Sequence, residues 1–311
     1  MKLHFSKNWI SSKNEVEPDP QITAGPAMDL SEILGLNDRF NLEQRWEEFP
    51  LRDMADIGWI DVSSREIRQR PYEIVMGFIK SFRFDTAVAA YYRRTAGAQE
   101  LSSWLWLSRL LQRTDEFADI PEFDEIGIDL NVGRELAQLS TYDDGPSRAK
   151  SFLRSRGIAL IVERALPGSR LDGAAFRTEN GFPVIGLSLR FDRIDYFWFT
   201  LLHEFAHVAM HVSKDGQSFV ESLDDLDERD DPMEQEADYF AQEALIPRRI
   251  WRRSDAYRRQ SPESIRQLAA ELNIHPGIIA GRIRKESNRF DLFPNLVGNN
   301  LVRQQFQESG W

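Results

Sequence analysis

Five residues, His203-Glu204-Phe205-Ala206-His207, carry the strongest chemical signal in this chain. Two imidazoles four residues apart on an α-helix lie about 40° apart around the axis and about 6 Å apart along it, so both can reach one divalent cation. Zinc takes nitrogen ligands of this kind in tetrahedral sites, and a glutamate directly after the first histidine stands beside the metal, directed at a bound water. From there Glu204 acts as general base, taking the proton of the water and passing it to a leaving amine. This is the H-E-x-x-H pattern of metal-dependent hydrolysis. Three of the five histidines in the chain, His203, His207 and His211, fall within nine residues. The competing reading is a set of core histidines, but a buried helix would then have to satisfy each polar group separately.

A catalytic zinc needs a third protein ligand. His211 lies two helical turns, about 12 Å, beyond His203, and one ion cannot join the two on a continuous helix. Three roles stay open for it: support of a ligand, the substrate side, or packing. The longer H-x-x-G-x-x-H arrangement is absent, because Met210 stands where its glycine would be. The third ligand is then a carboxylate. Residues 233–246, closed by Pro247, fit a helix. At about 100° per residue, Met233, Ala237, Phe240, Ala241, Ala244 and Leu245 share one arc, and Glu234 is the carboxylate inside it. Asp238, at the edge of the arc one turn later, is placed to accept a hydrogen bond from a ligand imidazole. Glu236 and Glu243 point away, toward a solvated face.

The elements that must position these groups follow from periodicity. The motif helix, Tyr196 to His211, is apolar almost all round, which predicts burial. Asp192 or Asp195 could cap its start. Before it come a short helix over 146–156, a strand over 157–162, and a hairpin of 174–177 with 183–190 around Asn180-Gly181. The strand 183–189, read as a sheet edge, would pair with an extended substrate backbone. Arg190 and Arg193 near the helix entrance are candidates to orient substrate, with structural salt bridges as the alternative. Tyr239, His211 or an arginine is the candidate oxyanion donor beyond zinc. Between the two site helices, 212–232 holds Glu221, Asp224, Asp225, Asp227, Glu228, Asp230 and Asp231. Such a run reads as a solvated loop, and its place beside the metal makes it a candidate lid.

The whole chain reads as α+β. Residues 1–45 are expected to be weakly structured, 46–140 to form a helical domain, 141–250 the metal-binding domain with a small sheet, and 251–311 a basic helical region. In the helical domain, Ile74, Val75, Phe78, Ile79 and Phe82 form one apolar stripe, and Trp104, Leu105, Leu107, Leu110 and Leu111 another. In the last region, 264–272 and 276–285 outline a helix-turn-helix, with Arg282, Arg284, Lys285 and Arg289 as candidates to meet phosphates. A helical hairpin packed on the catalytic unit is the alternative.

At 311 residues, with 41% hydrophobic and 29% charged residues, the chain is neither disordered nor fibrous. It lacks cysteine, which excludes disulfides, thiol nucleophiles and Cys-type metal sites. No apolar run approaches about 18 residues, and Met1 to Ile10 holds no signal core, so a cytoplasmic protein without a membrane partner is expected. The net charge is −11, yet residues 248–289 carry eleven basic and four acidic groups, a local +7 that leaves −18 elsewhere. Nucleic acid is therefore a possible partner of that segment alone.

His203-Glu-Phe-Ala-His207, then Glu234-Gln-Glu-Ala-Asp-Tyr-Phe-Ala241 and Ala244-Leu-Ile-Pro247, resembles the ImmA/IrrE family of bacterial zinc metallo-endopeptidases. The resemblance covers about residues 145–250. It extends into 274–283, which is similar to a subset fused to HigA-like antitoxin regulators, although the N-terminal helix-turn-helix of that subset is not found before residue 46. The resemblance implies a gluzincin-like catalytic fold and Zn2+ held by His203, His207 and Glu234 with Glu204 as base. It also implies a protein substrate, a helix-turn-helix repressor or antitoxin. The residues by themselves point only to metal-dependent hydrolysis. A non-catalytic, zinc-containing regulator that binds DNA or a toxin is the rival reading, though it gives Glu204 no task.

Overall fold

The computed structural model describes residues 43–81, 100–169, 171–178, 180–212, 219–221 and 231–307. Most of the segment expected to be weakly structured, Phe82 of the first apolar stripe, and most of the acidic run, Asp224 to Asp230, lie outside the described residues. Helices come first: α1 (Leu51–Asp56), α2 (Ser64–Gln69), α3 (Pro71–Ser81), α4 (Glu100–Arg113), α5 (Leu130–Gln138) and α6 (Gly145–Arg154). Strands β1 (Ala159–Val162), β2 (Gly173–Arg177) and β3 (Pro183–Leu187) lead into α7 (Ile194–Met210). Then follow β4 (Phe219–Glu221), α8 (Pro232–Leu245), α9 (Arg248–Trp251), α10 (Asp255–Arg259), α11 (Pro262–Leu272) and α12 (Pro276–Ser287). The class is α+β, as the order of elements in the sequence implied.

The sheet runs in the order β1-β3-β2-β4. β1 and β3 are parallel, with Ala159 opposite Val184, while β2 is antiparallel to β3, with Gly173 opposite Leu187, and to β4. The hairpin closes through Thr178 N–H to Phe182 O, 3.0 Å, and Gly181 N–H to Thr178 O, 2.9 Å. β3 is therefore interior, and the expectation that it offers a free edge to substrate is corrected. Its residues show why: every one of them is buried, and a strand apolar on both faces belongs inside a sheet covered on both sides.

The two faces serve two cores. Leu160, Val162, Ala175, Ile185 and Leu187 join the core around α7. Ala159, Ile161, Ala174, Phe176 and Val184 join the core around α4, with Trp104, Leu107 and Leu110. The period-two alternation of a strand thus separates a chemical layer from a helical layer across one sheet. Glu163, buried just past β1, anchors the helical layer to the sheet. It accepts from Trp59 Nε1 at 2.6 Å and faces Arg113 Nη1 at 3.1 Å.

α7 begins differently from the sequence expectation. Arg193 is the capping residue and no side chain caps the helix. Asp192 instead accepts the backbone amides of Val302 and Arg303, and Asp195 pairs with Arg193. α8 starts one residue before the expected 233, with Asp231 accepting from Met233 N–H and Pro232 in the first turn.

The helix-turn-helix outline is present in α11 and α12, joined through left-handed Asn273 and capped by His275, whose Nδ1 accepts from Gly277 N–H. α12 packs along α7, and Ile278, Ile279, Ala280 and Ile283 sit in the same core. The approach is close enough that a Cβ on Gly281 would stand 2.2 Å from Asp195 Oδ2. The cations considered for phosphate contacts are engaged within the chain to differing degrees, and Lys285 and Arg289 remain exposed. Arg282 bonds Ile246 O and Glu286, Arg284 is buried, Lys285 lies over Phe199, and Arg289 pairs with Asp291. Among the described residues, no helix is long and apolar enough to cross a membrane.

Candidate metal centre

α7 is enclosed by the sheet, α8 and α12, so its side chains are held by packing on most of its circumference. The contact of α7 with α8, seen in the rings of Phe205 and Phe240 at 5.9 Å, brings the first turns of α8 alongside the last turns of α7. His203 Nε2 and His207 Nε2 lie 3.0 Å apart. Glu234 Oε2 is 3.1 Å from the first and 3.4 Å from the second. Both imidazoles are buried, and the Glu234 side chain, 15% exposed, is the most accessible of the three.

The fit to a metal ion can be tested on this triangle. Ligands about 2.0–2.1 Å from a tetrahedral zinc are about 3.3–3.4 Å from one another. The observed separations of 3.0, 3.1 and 3.4 Å match one face of that tetrahedron. Two nitrogens and a carboxylate oxygen are also a donor set that zinc accepts. These three residues form a group able to hold a metal ion.

The protonation states suit that role. Burial acts to raise the Glu234 carboxyl, but its bonds to His203 and His207 outweigh burial and hold it below the ordinary carboxylate range. Burial pushes the His207 imidazole down, against the pull of Glu234, which favours the neutral ligating form. His203 Nδ1 is 3.1 Å from Asp238 Oδ1. Burial would raise Asp238, yet its bond to His203 and the charge of Lys285 bring it below its usual value. As a carboxylate it only accepts, so His203 donates from Nδ1 and keeps the Nε2 lone pair for the triangle.

Glu204, one residue past His203, is buried and faces the sheet. Its carboxylate rests on Gly173 of β2, where a Cβ would come within 2.1 Å of Oε1 and 2.7 Å of Cδ and Cγ. Gly173 is thus part of the seat of Glu204, and the sequence offered no signal for it. His211, the residue capping the end of α7, has Nδ1 3.0 Å from His207 Nδ1 and Nε2 3.1 Å from Glu236 Oε2. Glu236 was expected on a solvated face. Its side chain is 66% exposed, but its oxygen reaches the histidine.

Two other candidates stand elsewhere. Arg190 is occupied by buried Asp172, at 3.0 Å from each carboxylate oxygen, and its guanidinium lies over Phe191. The bonds of Asp172 and the burial of Tyr196 also raise the Tyr196 phenol, burial being the larger cause. Tyr239 is 59% exposed and lines a surface cleft with Gln242, Arg248 and Arg282. It projects about 140° around α8 from Glu234.

The family model described as the IrrE N-terminal-like domain, a peptidase family, matches residues 157–284. The match starts beside β1 and ends in α12, and so includes the whole sheet, α7 and α8. No curated protein and no solved structure matches the chain.

Proposed function

We propose, on the match of residues 157–284 to the family model of the IrrE N-terminal-like domain, that the chain is a zinc-dependent endopeptidase. The observation that carries this reading is the triangle of His203 Nε2, His207 Nε2 and Glu234 Oε2, 3.0–3.4 Å on a side, with the Glu204 carboxylate seated against Gly173 beside it. His203, His207 and Glu234 would hold the ion, and Asp238 fixes the ring of His203. Bound there, zinc supplies Lewis-acid chemistry, drawing electron density from a carbonyl oxygen and lowering the pKa of water.

Glu204 takes one proton from the attacking water on a carboxylate oxygen. The oxygen of that water forms the new bond to the peptide carbon, the C–N bond breaks, and Glu204 returns the proton to the leaving nitrogen. Burial of Glu204 keeps bulk water from competing for that proton. The substrate we propose, on the resemblance to ImmA/IrrE proteins, is a helix-turn-helix repressor or antitoxin. The test is incubation with such regulators, with and without chelator, followed by mass spectrometry of fragments. Cleavage lost on chelation, and lost with retained zinc in Glu204→Gln, is expected. Cleavage by Glu204→Gln at the wild-type rate would refute the assignment.

A non-catalytic regulator is the second reading, and one observation favours it. Arg248, Arg249, Arg252, Arg253, Arg258 and Arg266 are exposed, and none forms an ion pair within the described residues. Binding to duplex DNA that weakens with salt at a slope of several charges, together with a Glu204→Gln variant that behaves as wild type in every assay, would establish it over the enzyme.

A further inference from the structure

We propose that His211 and Glu236 act as positioning residues for His207, locking its proton on Nδ1 so that its Nε2 lone pair faces Glu234 and His203. This deepens the metal-centre reading and rests on it. Glu236 Oε2 lies 3.1 Å from His211 Nε2, and a carboxylate can only accept. His211 therefore donates from Nε2. A neutral imidazole has a single N–H, so His211 Nδ1 carries a lone pair. That lone pair is 3.0 Å from His207 Nδ1, which must then be the donor. His207 Nε2 is left as an acceptor, aimed into the triangle at 3.0 Å from His203 Nε2 and 3.4 Å from Glu234 Oε2.

The opposite arrangement would defeat the site. If His211 donated from Nδ1, His207 would carry its proton on Nε2, between the groups that are to hold the cation. The two ligand histidines are thus served in parallel ways, His203 directly by Asp238 and His207 through His211 by Glu236. The backbone supports the second arrangement. His211 caps α7 and its amide returns to His207 O at 2.8 Å, which sets its ring beside that of its partner, with centroids 5.1 Å apart. His211 itself is buried, so no bulk water replaces it.

The experiment uses the full chain and zinc itself, with a competing chromogenic chelator. Loss of a residue that orients a ligand costs about 10–100-fold in metal affinity, and this loss is expected for His211→Leu. His211→Asn, whose side-chain carbonyl can accept from His207 Nδ1, is expected within about threefold of wild type on the same scale. Long-range proton–nitrogen NMR on protein labelled at its five histidines reads the tautomer directly. His207 is expected with its proton on Nδ1 in the metal-free wild type. Should His211→Leu fail to fold, Glu236→Lys replaces the acceptor with a donor, and His207 should then move its proton to Nε2.

Unchanged zinc affinity in a folded His211→Leu, or a proton on His207 Nε2 in the wild type, overturns the proposal. Failure of the wild type to bind a single zinc overturns the metal-centre reading instead, whatever the tautomer.

Discussion

Gly173→Ala is the sharpest test of how the fold seats Glu204. The backbone at Gly173 is not in the left-handed region, and its residue pairs normally with Leu187 in β3, so alanine meets no conformational barrier. The added methyl meets Glu204 instead, 2.1 Å from Oε1. Ordinary contact begins near 3.4 Å, so the carboxylate must withdraw by about 1.3 Å or the strand must move. A group misplaced by about 1 Å can lose about 10²-fold in rate, equal to about 2.7 kcal/mol at about 1.36 kcal/mol per decade. Overpacking adds a stability cost of about 1–3 kcal/mol. The assay combines kcat on a cleavable regulator, zinc stoichiometry and urea unfolding, for Gly173→Ala, Glu204→Ala and the double variant. Zinc content should hold, kcat should fall about 10²-fold, and the stability cost should vanish when Glu204 is already alanine. Wild-type turnover by Gly173→Ala, or a stability loss undiminished in the double variant, would refute the reasoning.

Further outcomes follow from the same contacts. Asp238→Ala should weaken zinc binding about 10–100-fold through the freed ring of His203, read by chelator competition. Glu163→Ala should destabilise the fold by about 3–5 kcal/mol in urea unfolding, because Arg113 and Trp59 lose the buried carboxylate they face, while Glu163→Gln should cost less, since its carbonyl still accepts from Trp59. Gly281→Val should cost at least the overpacking range of about 1–3 kcal/mol, because its Cβ enters the space of Asp195, and melting of the zinc-free protein should show it. Zinc at about 1,000 times its Kd should stabilise the chain by about 4 kcal/mol, and a chelator should reverse that shift in melting temperature.

What the sequence made legible was local or strongly periodic. His203, Glu204 and His207 are one turn of one helix, so their mutual placement needs no knowledge of the fold. Glu234 was legible because one arc of α8 is apolar and only that carboxylate shares it. The structure brings it to the histidines and brings Asp238 to His203. Three features were not legible, each for a different reason. The place of β3 depends on strand order, which non-local pairing decides, although its uninterrupted apolar run was a hint of burial on both faces. Gly173 has no pattern of its own, and its role exists only because α7 crosses β2 at that residue. Glu236 lies off the apolar arc, and a wheel assumes that a partner helix touches one face. Here α7 ends beside the first turn of α8, and His211, at the capping position, reaches a residue the wheel assigns to solvent.

The placement of charge on this protein follows from the enclosure of α7. Three buried imidazoles and a buried carboxylate on a largely enclosed helix would each carry a desolvation cost, and that cost is offset only if every proton has a defined place. Asp238 and Glu236 supply acceptors at the two Nδ1 ends, one directly and one through His211, while Glu234 closes the Nε2 side. None of these carboxylates comes from the helical layer on the other face of the sheet, whose buried acid, Glu163, answers Arg113 and Trp59 instead. The two layers therefore keep separate charge inventories across one sheet, and a change that unbalances the helical layer, such as Glu163→Ala, should lower stability without moving zinc affinity, whereas a change in the other, such as His211→Leu, should move zinc affinity.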